Sequence, residues 1–325
     1  MSEEVAAIIE SIQALVREGA EIDSYLGKLH DLVAVAPMSI GSTHQPGVEL
    51  YRGTKHHRAV PVVIGELWYP PPEFAPLGRA NRRGAPMFYC SSDPNGAFRE
   101  IGAKVGQLAV HSKWVTSVPM LLHDLGYTQQ VLARAGSRRT LPENHQAFYE
   151  ASLDDQGRGI RDFIALAFTD PTPAKYSLTA AIAEFHLGAD EFSGLLYPAV
   201  SKAANVDNVA LRPAFVREGL QLTTARLVEI DKADDDGSVE GVVLADLASV
   251  ESDGRLRWVF REKGSSVPPG GCHSFRAGER LRVQSPGEIS VEGKRFQVEA
   301  GYSIEGTHAG EITVRNLRGE PVEPL

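Results

Sequence analysis

The stretch Gly78–Glu100, GRANRRGAPMFYCSSDPNGAFRE, decides how this chain is read. Its centre, Met87-Phe-Tyr-Cys-Ser91, is a short apolar run that reads as a strand with Met87, Tyr89 and Ser91 on one side. Gly78 leads the preceding loop, which holds Arg79, Arg82 and Arg83. Asp93-Pro94 follows as a helix N-cap with proline at the first helical position, where its missing N–H costs nothing. A helix is expected from there, with Ala97, Ile101, Val105 and Leu108 as its apolar stripe and Glu100 half-turned towards it.

Upstream, Val48–Arg52 reads as a strand with Val48, Leu50 and Arg52 sharing a face, reached through a Pro/Gly-containing link from Pro37 to Gly47. Prolines 61, 70, 71, 72, 76 and 86 make the region before the central strand a long irregular connection. At the start, Val5, Ile8, Ile9, Ile12, Leu15 and Val16 fall on one helical face, with Glu3 and Glu4 in the first turn and Arg17 in the last. Gly19 is placed to end that helix, which should pack on its own domain. Downstream, helix-like pieces at 143–153 and 177–187 flank the apolar run Asp162–Phe168. Tyr197-Pro198 and Asn208–Arg212 bracket a polar loop.

From Gln221 the pattern changes to short strands at Thr223–Ile230, Gly241–Leu247, Arg255–Phe260, Arg280–Val283, Arg295–Val298 and Glu311–Val314. The expected organisation is an N-terminal helical segment (1–44), a central domain (45–220) and a β-rich extension (221–325).

With 42% hydrophobic and 23% charged residues, the 325-residue chain has an ordinary globular composition. Its net charge of −9 argues against a nucleic-acid coat, and the short basic run Arg79–Arg83 suits a small anion better than a polymer. No stretch approaches the roughly 18 apolar residues of a membrane span, and the acidic start predicts no secretory leader. Two cysteines, Cys90 and Cys272, make neither a disulfide framework nor a metal motif, so a reducing, cytoplasmic setting is expected. The ten histidines form no ligand pattern, and Asp231–Asp236 lacks the features of a calcium loop. No metal is expected.

The spacing of these residues resembles that of the RES domain family. The family pattern of an early strand with Arg, a Gly-Arg loop, a strand ending in Tyr and a helix with Glu is matched by LYRG around Arg52, GRANRRGAPMFY from Gly78 to Tyr89, and SSDPNGAFRE ending at Glu100. A later YPS element and an N-x-x-L strand correspond to YPAV at Tyr197–Val200 and NVAL at Asn208–Leu211. The resemblance spans roughly residues 45–215. One departure is Ala199 where the family has Ser, the nearest hydroxyl being Ser201.

The resemblance implies an α+β, ADP-ribosyltransferase-like fold that binds NAD⁺ in a cleft between sheet layers. It implies NAD⁺ as a substrate, with no tightly bound cofactor, in hydrolysis, phosphorolysis or ADP-ribosyl transfer to a protein. Cleaving the nicotinamide glycosidic bond builds positive charge on the ribose while a neutral group leaves, so a carboxylate near the ribose matters more than a strong general acid. Glu100 would stabilise that charge, and Arg79 and Arg52 would grip the pyrophosphate. Tyr89 would contact the nicotinamide end, with Ser91, Tyr197 and Ser201 completing the NAD⁺-binding set. Ser91 and Ser92 equally suit a helix start. The family further implies a toxin-type or defence effector whose partner is an Xre-like antitoxin or a protein acceptor, and it leaves a homo-oligomer open. A catalytically weak NAD⁺-binding module is the alternative from another class.

Overall fold

Ser2 caps helix α1 (Glu3–Glu18) by accepting the Val5 amide at 3.3 Å, and Gly19 closes it in the left-handed region at φ 69°. The computed structural model to which this helix belongs describes residues 2–35, 40–56, 60–151, 154–199, 204–233, 239–260, 280–282, 287–291, 294–299, 301–306 and 312–325. Ser201, Cys272, His57 and residues 234–236 of the acidic turn lie outside the described residues. The chain folds as two units. The first comprises Met1–Arg52, Trp68–Ala97 and Lys113–Thr223, and the second Gly53–Leu67, Phe98–Ser112 and Thr224–Leu325.

In the first unit α1 is followed by α2 (Ile22–Val35) and by strands β1 (Ile40–His44), β2 (Glu49–His56), whose residues from Gly53 belong to the second unit, and β3 (Phe88–Ser91). Next come α3 (Pro94–Glu100), which passes into the second unit at Phe98, β4 (Leu108–Thr116), which returns to the first at Lys113, β5 (Met120–Asp124), α4 (Gln129–Ala135), α5 (Glu143–Ala151), α6 (Asp155–Thr169) and α7 (Tyr176–His186). Strands β6 (Gly194–Pro198) and β7 (Asp207–Leu211), helix α8 (Pro213–Gly219) and the start of β8 (Leu220–Ala233) complete it. The strand order is β1-β5-β6-β7-β3-β2. Only β5–β6 is parallel, and the other pairs are antiparallel.

Helices α1, α2, α6 and α7 bury their apolar faces together with one face of this sheet. Ile12, Leu29, Ile164, Phe168 and Ile182 join Leu195, Tyr197 and Ala210 in a single core cluster. Each fully buried aliphatic side chain contributes about 1.5–3 kcal/mol, so the N-terminal helix is held by its own domain, as its pattern predicts. The layer facing Leu195, Tyr197 and Ala210 is helical. On the opposite face, Phe88 meets Trp114 edge-on at 5.4 Å.

Several elements differ from expectation. Helix α3 stops at Glu100, because Gly102 and Gly106 take positive φ (55° and 78°) and break the helical path. Val105 is exposed, and Leu108 opens strand β4. Glu100 is exposed, not turned towards a core. The run Asp162–Phe168 lies inside α6, where successive turns bury Ile164, Ala165 and Phe168. Helix α2 and strands β1 and β5 arise where no element is expected.

The second unit is mainly antiparallel. It takes the later part of β8, β9 (Val239–Val250) and β10 (Leu256–Phe260), with Leu227 opposite Ala245 and Phe260 opposite the same alanine. Strands β11 (Arg280–Arg282), β14 (Ser303–Gly306) and β15 (Ile312–Arg315) form one small sheet, and β12 (Gly287–Val291) and β13 (Lys294–Val298) another. The β-rich extension is thus present, with β12 and β14 added to the expected strands. The buried Trp258 indole donates to Pro61 O at 2.8 Å, tying the proline-rich connection to β10.

Candidate functional site

Backbone pairing sets the geometry of the site. Tyr51 lies opposite Ser91, Ser91 opposite Asn208, and Asn208 opposite Tyr197. Directly opposed residues of antiparallel strands share a face, so these four form one polar row across β2, β3, β7 and β6. Tyr89, two residues before Ser91, shares that face by the period of two.

Tyr89 fastens the Gly-Arg loop to the strand. Its hydroxyl donates to Asn81 Oδ1 at 2.6 Å and accepts the Ala80 N–H at 2.9 Å. Asn81 in turn donates to Pro76 O at 2.8 Å and Arg82 O at 2.9 Å, so one buried amide organises the whole turn. Gly78 is required by closeness: a Cβ there would sit 2.5 Å from Asn81 Oδ1 and 2.8 Å from the Tyr89 hydroxyl. Burial raises the Tyr89 pKa, against the opposing pull of the Ala80 N–H and Arg79, so the phenol stays protonated. Arg82 extends the turn to the helices by pairing with Glu184 at 2.7 Å and Asp23 at 2.8 Å.

Arg79 is half-buried and points to the C-terminus of α6. Its guanidinium donates to Phe168 O and, at 2.8 Å, to Asp170 O, and lies 5.5 Å from the Tyr176 ring centroid. A cation there complements the negative end of the helix dipole. The Asp170 side chain accepts from Lys175 at 2.6 Å. Burial pushes its pKa up, but the Lys175 and Thr172 hydrogen bonds outweigh this and hold it at about 2.

Arg52 is joined to the same strand from behind. It donates to Tyr89 O at 2.7 Å while its guanidinium lies 4.9 Å from the Phe88 centroid, on the face opposite the Tyr89 side chain. Burial lowers its pKa to about 10, so it remains a cation at neutral pH. The structure therefore brings Arg79, Tyr89, Ser91 and Tyr197 to one face of the sheet or its covering loop, and leaves the Arg52 charge on the other. Glu100 ends the short helix that starts three residues after Ser91.

Ser91 is wholly buried and occupied. Its hydroxyl donates to Asp207 O at 3.2 Å and accepts the Asp93 N–H at 3.2 Å, while Asp93 caps α3 through the Asn95 and Gly96 amides. Tyr197 is buried edge-on against Phe168 at 5.2 Å. Ala199 is 1% exposed, and its amide bonds Val206 O at 2.9 Å, so the strand-end position where the family has Ser carries no hydroxyl.

Three residues absent from the sequence reading support this corner. The Asp207 carboxylate takes a bidentate contact from Arg139 (2.6 and 3.3 Å) and a hydrogen bond from the Tyr127 hydroxyl (2.7 Å). The Asp207 amide meanwhile donates to Ser92 Oγ at 3.1 Å. Burial and the Asp207 charge together drive the Tyr127 pKa well up. The one available signal was that Asp207 directly precedes the Asn-x-x-Leu strand.

A second buried polar chain runs beside it, with Ser42 donating to Asp124, Asp124 facing His145 Nε2 at 2.9 Å, and Arg161 facing His145 Nδ1 at 3.0 Å. Since a guanidinium only donates, Nδ1 accepts and Nε2 carries the hydrogen given to Asp124. This histidine is structural. Among the described residues no group of His, Cys, Asp and Glu is placed to hold a metal ion, and no helix is long and apolar enough to cross a membrane.

An α+β chain with a loop arginine, a strand tyrosine and a helix-end glutamate in this order is the arrangement of the family suggested by the spacing. The family model described as the RES domain matches residues 49–231, more than half of the chain, and the protein belongs to the RES domain family. No curated protein matches it at a significant level.

Proposed function

We propose that the protein consumes NAD⁺ by cleaving the nicotinamide glycosidic bond. The observation that carries this reading, in a member of the RES family, is the Tyr89 latch: it ties the loop bearing Arg79 to the polar row of Tyr51, Ser91, Asn208 and Tyr197. Arg79 then contacts the pyrophosphate, exchanging carbonyl partners for phosphate oxygens, which accept from a guanidinium more strongly. Tyr89 and Tyr197 border the nicotinamide-ribose end, with Ser91 between them in the polar row, and Arg52 braces the strand through the Tyr89 carbonyl. Glu100 opposes the positive charge that grows on the ribose as nicotinamide leaves.

The test is nicotinamide release from NAD⁺ by purified protein. Glu100→Gln and Arg79→Ala should each lower the rate by about 10²–10³-fold, the usual scale for a lost transition-state contact. Unchanged NAD⁺ loss in both variants would sink the proposal. Etheno-NAD⁺ separates the outcomes: free ADP-ribose marks hydrolysis, ADP-ribose-1″-phosphate marks phosphorolysis, and label kept on protein marks ADP-ribosyl transfer.

A second reading, a weakly catalytic NAD⁺-binding module, is favoured by the buried, hydroxyl-free Ala199. Saturable NAD⁺ binding without turnover, together with turnover gained in Ala199→Ser, would support it.

A further inference from the structure

A cavity of about 360 Å³ opens in the first unit among α1, α4, α6 and the turn before α7, and none of the residues named above for NAD⁺ lines it. Its wall is apolar, formed by Val16, Phe163, Leu166, Ala167 and Leu178. Its mouth is basic. Arg17 and Arg134 reach it from the last turns of α1 and α4, and Lys175 stands beside Asp170. Among the described residues, Lys175 is paired with Asp170, whereas Arg17 and Arg134 have no ion-pair partner. Each arginine also offsets its own helix dipole, but that role does not require both to converge on one cavity in a chain of net charge −9.

We infer that this cavity is a binding site for a small amphiphile, an alkyl chain ending in a single carboxylate. The volume lies within the range of small-molecule sites, the apolar wall suits the chain, and the two arginines suit the head group. Asp170 joins the site to the Gly-Arg loop, since its carboxylate holds Lys175 at the cavity wall and its carbonyl holds Arg79.

The probe is octanoate, with 1-octanol as the same chain without charge and acetate as the charge without chain, added to the full chain and followed by calorimetry and protein NMR. Saturable octanoate binding is expected, with octanol weaker by about ten-fold and acetate not binding. The doubly substituted Arg17→Ala/Arg134→Ala protein, altered only at exposed positions, should lose about ten-fold in octanoate affinity and keep its octanol affinity. Leu166→Trp, which fills the cavity, should abolish both. The proposal is overturned if octanoate does not saturate at millimolar concentration, if octanoate and octanol bind alike, or if the double variant binds octanoate like the parent. Displacement of octanoate by ADP-ribose would also overturn it, by merging this cavity with the NAD⁺ site. Because binding is read directly, these outcomes do not depend on whether the protein turns NAD⁺ over.

Discussion

The Tyr89 hydroxyl donates to Asn81 Oδ1 at 2.6 Å, and through that bond the loop before β3 becomes part of the strand's own surface. Tyr89→Phe keeps the ring and removes the latch, leaving the buried Ala80 N–H and Asn81 carbonyl short of a partner. A loss of about 1–3 kcal/mol is expected, read as a lower urea midpoint at constant slope. An unchanged midpoint would show that the latch carries no stability.

Gly78→Ala should break the same latch by a different route. The backbone tolerates alanine, since Gly78 is not among the glycines at positive φ, but the new Cβ meets both Asn81 Oδ1 and the tyrosine hydroxyl. In the double variant with Tyr89→Phe one of those clashes is gone, so the two effects should sum to less than their separate values by about 0.5 kcal/mol or more. Strict additivity would place the glycine's importance elsewhere.

Asp207→Asn leaves the half-buried Arg139 without its carboxylate and weakens the Tyr127 bond. We expect about 1.5–3 kcal/mol of destabilisation. A double-mutant cycle with Arg139→Met should return a favourable coupling, and a coupling near zero would reduce the pair to a surface contact.

Acidification should unfold the protein partly through His186. Burial first, and the neighbouring His123 second, lower its pKa to about 4 in the fold, against about 6.5 in the unfolded chain. Between these values the unfolded state binds more protons, so stability falls as pH drops from about 6.5 to about 4 and is flat above. His186 alone accounts for up to about 3 kcal/mol of this fall. His123, also held near 4 by burial, adds to the same window. The depressed Asp170 acts only at lower pH, as protonation proceeds from its usual range towards 2. Urea titrations of His186→Gln at pH 7 and pH 4.5 should show a smaller difference than the parent, and an equal difference would refute the assignment.

What was legible followed from local chemistry. The α1 face, the Asp93-Pro94 helix start, strand β3 and the β-rich tail each rest on periodicity or capping within a few residues. One expectation is overturned by the fold. Ala97, Ile101, Val105 and Leu108 keep helical spacing, but two glycines at positive φ end α3 early, and that conformation is chosen by the surrounding fold. Asp162–Phe168 is apolar enough for a strand or a buried helix, and periodicity over so short a run does not separate them.

By itself the sequence determined the family, the order of Arg79, Tyr89 and Glu100, and the replacement of a serine by Ala199, because residue type and spacing are properties of the chain alone. Only the tertiary structure decided which side of the sheet each group occupies. Pairing Tyr51 with Ser91 sends Arg52 to the face opposite Tyr89, and a register shift of one residue would have put it beside the phenol. Only folding, too, brought Asn81 to Tyr89 and Arg139 to Asp207, since hydrogen bonds between residues distant in the chain follow from how the elements pack.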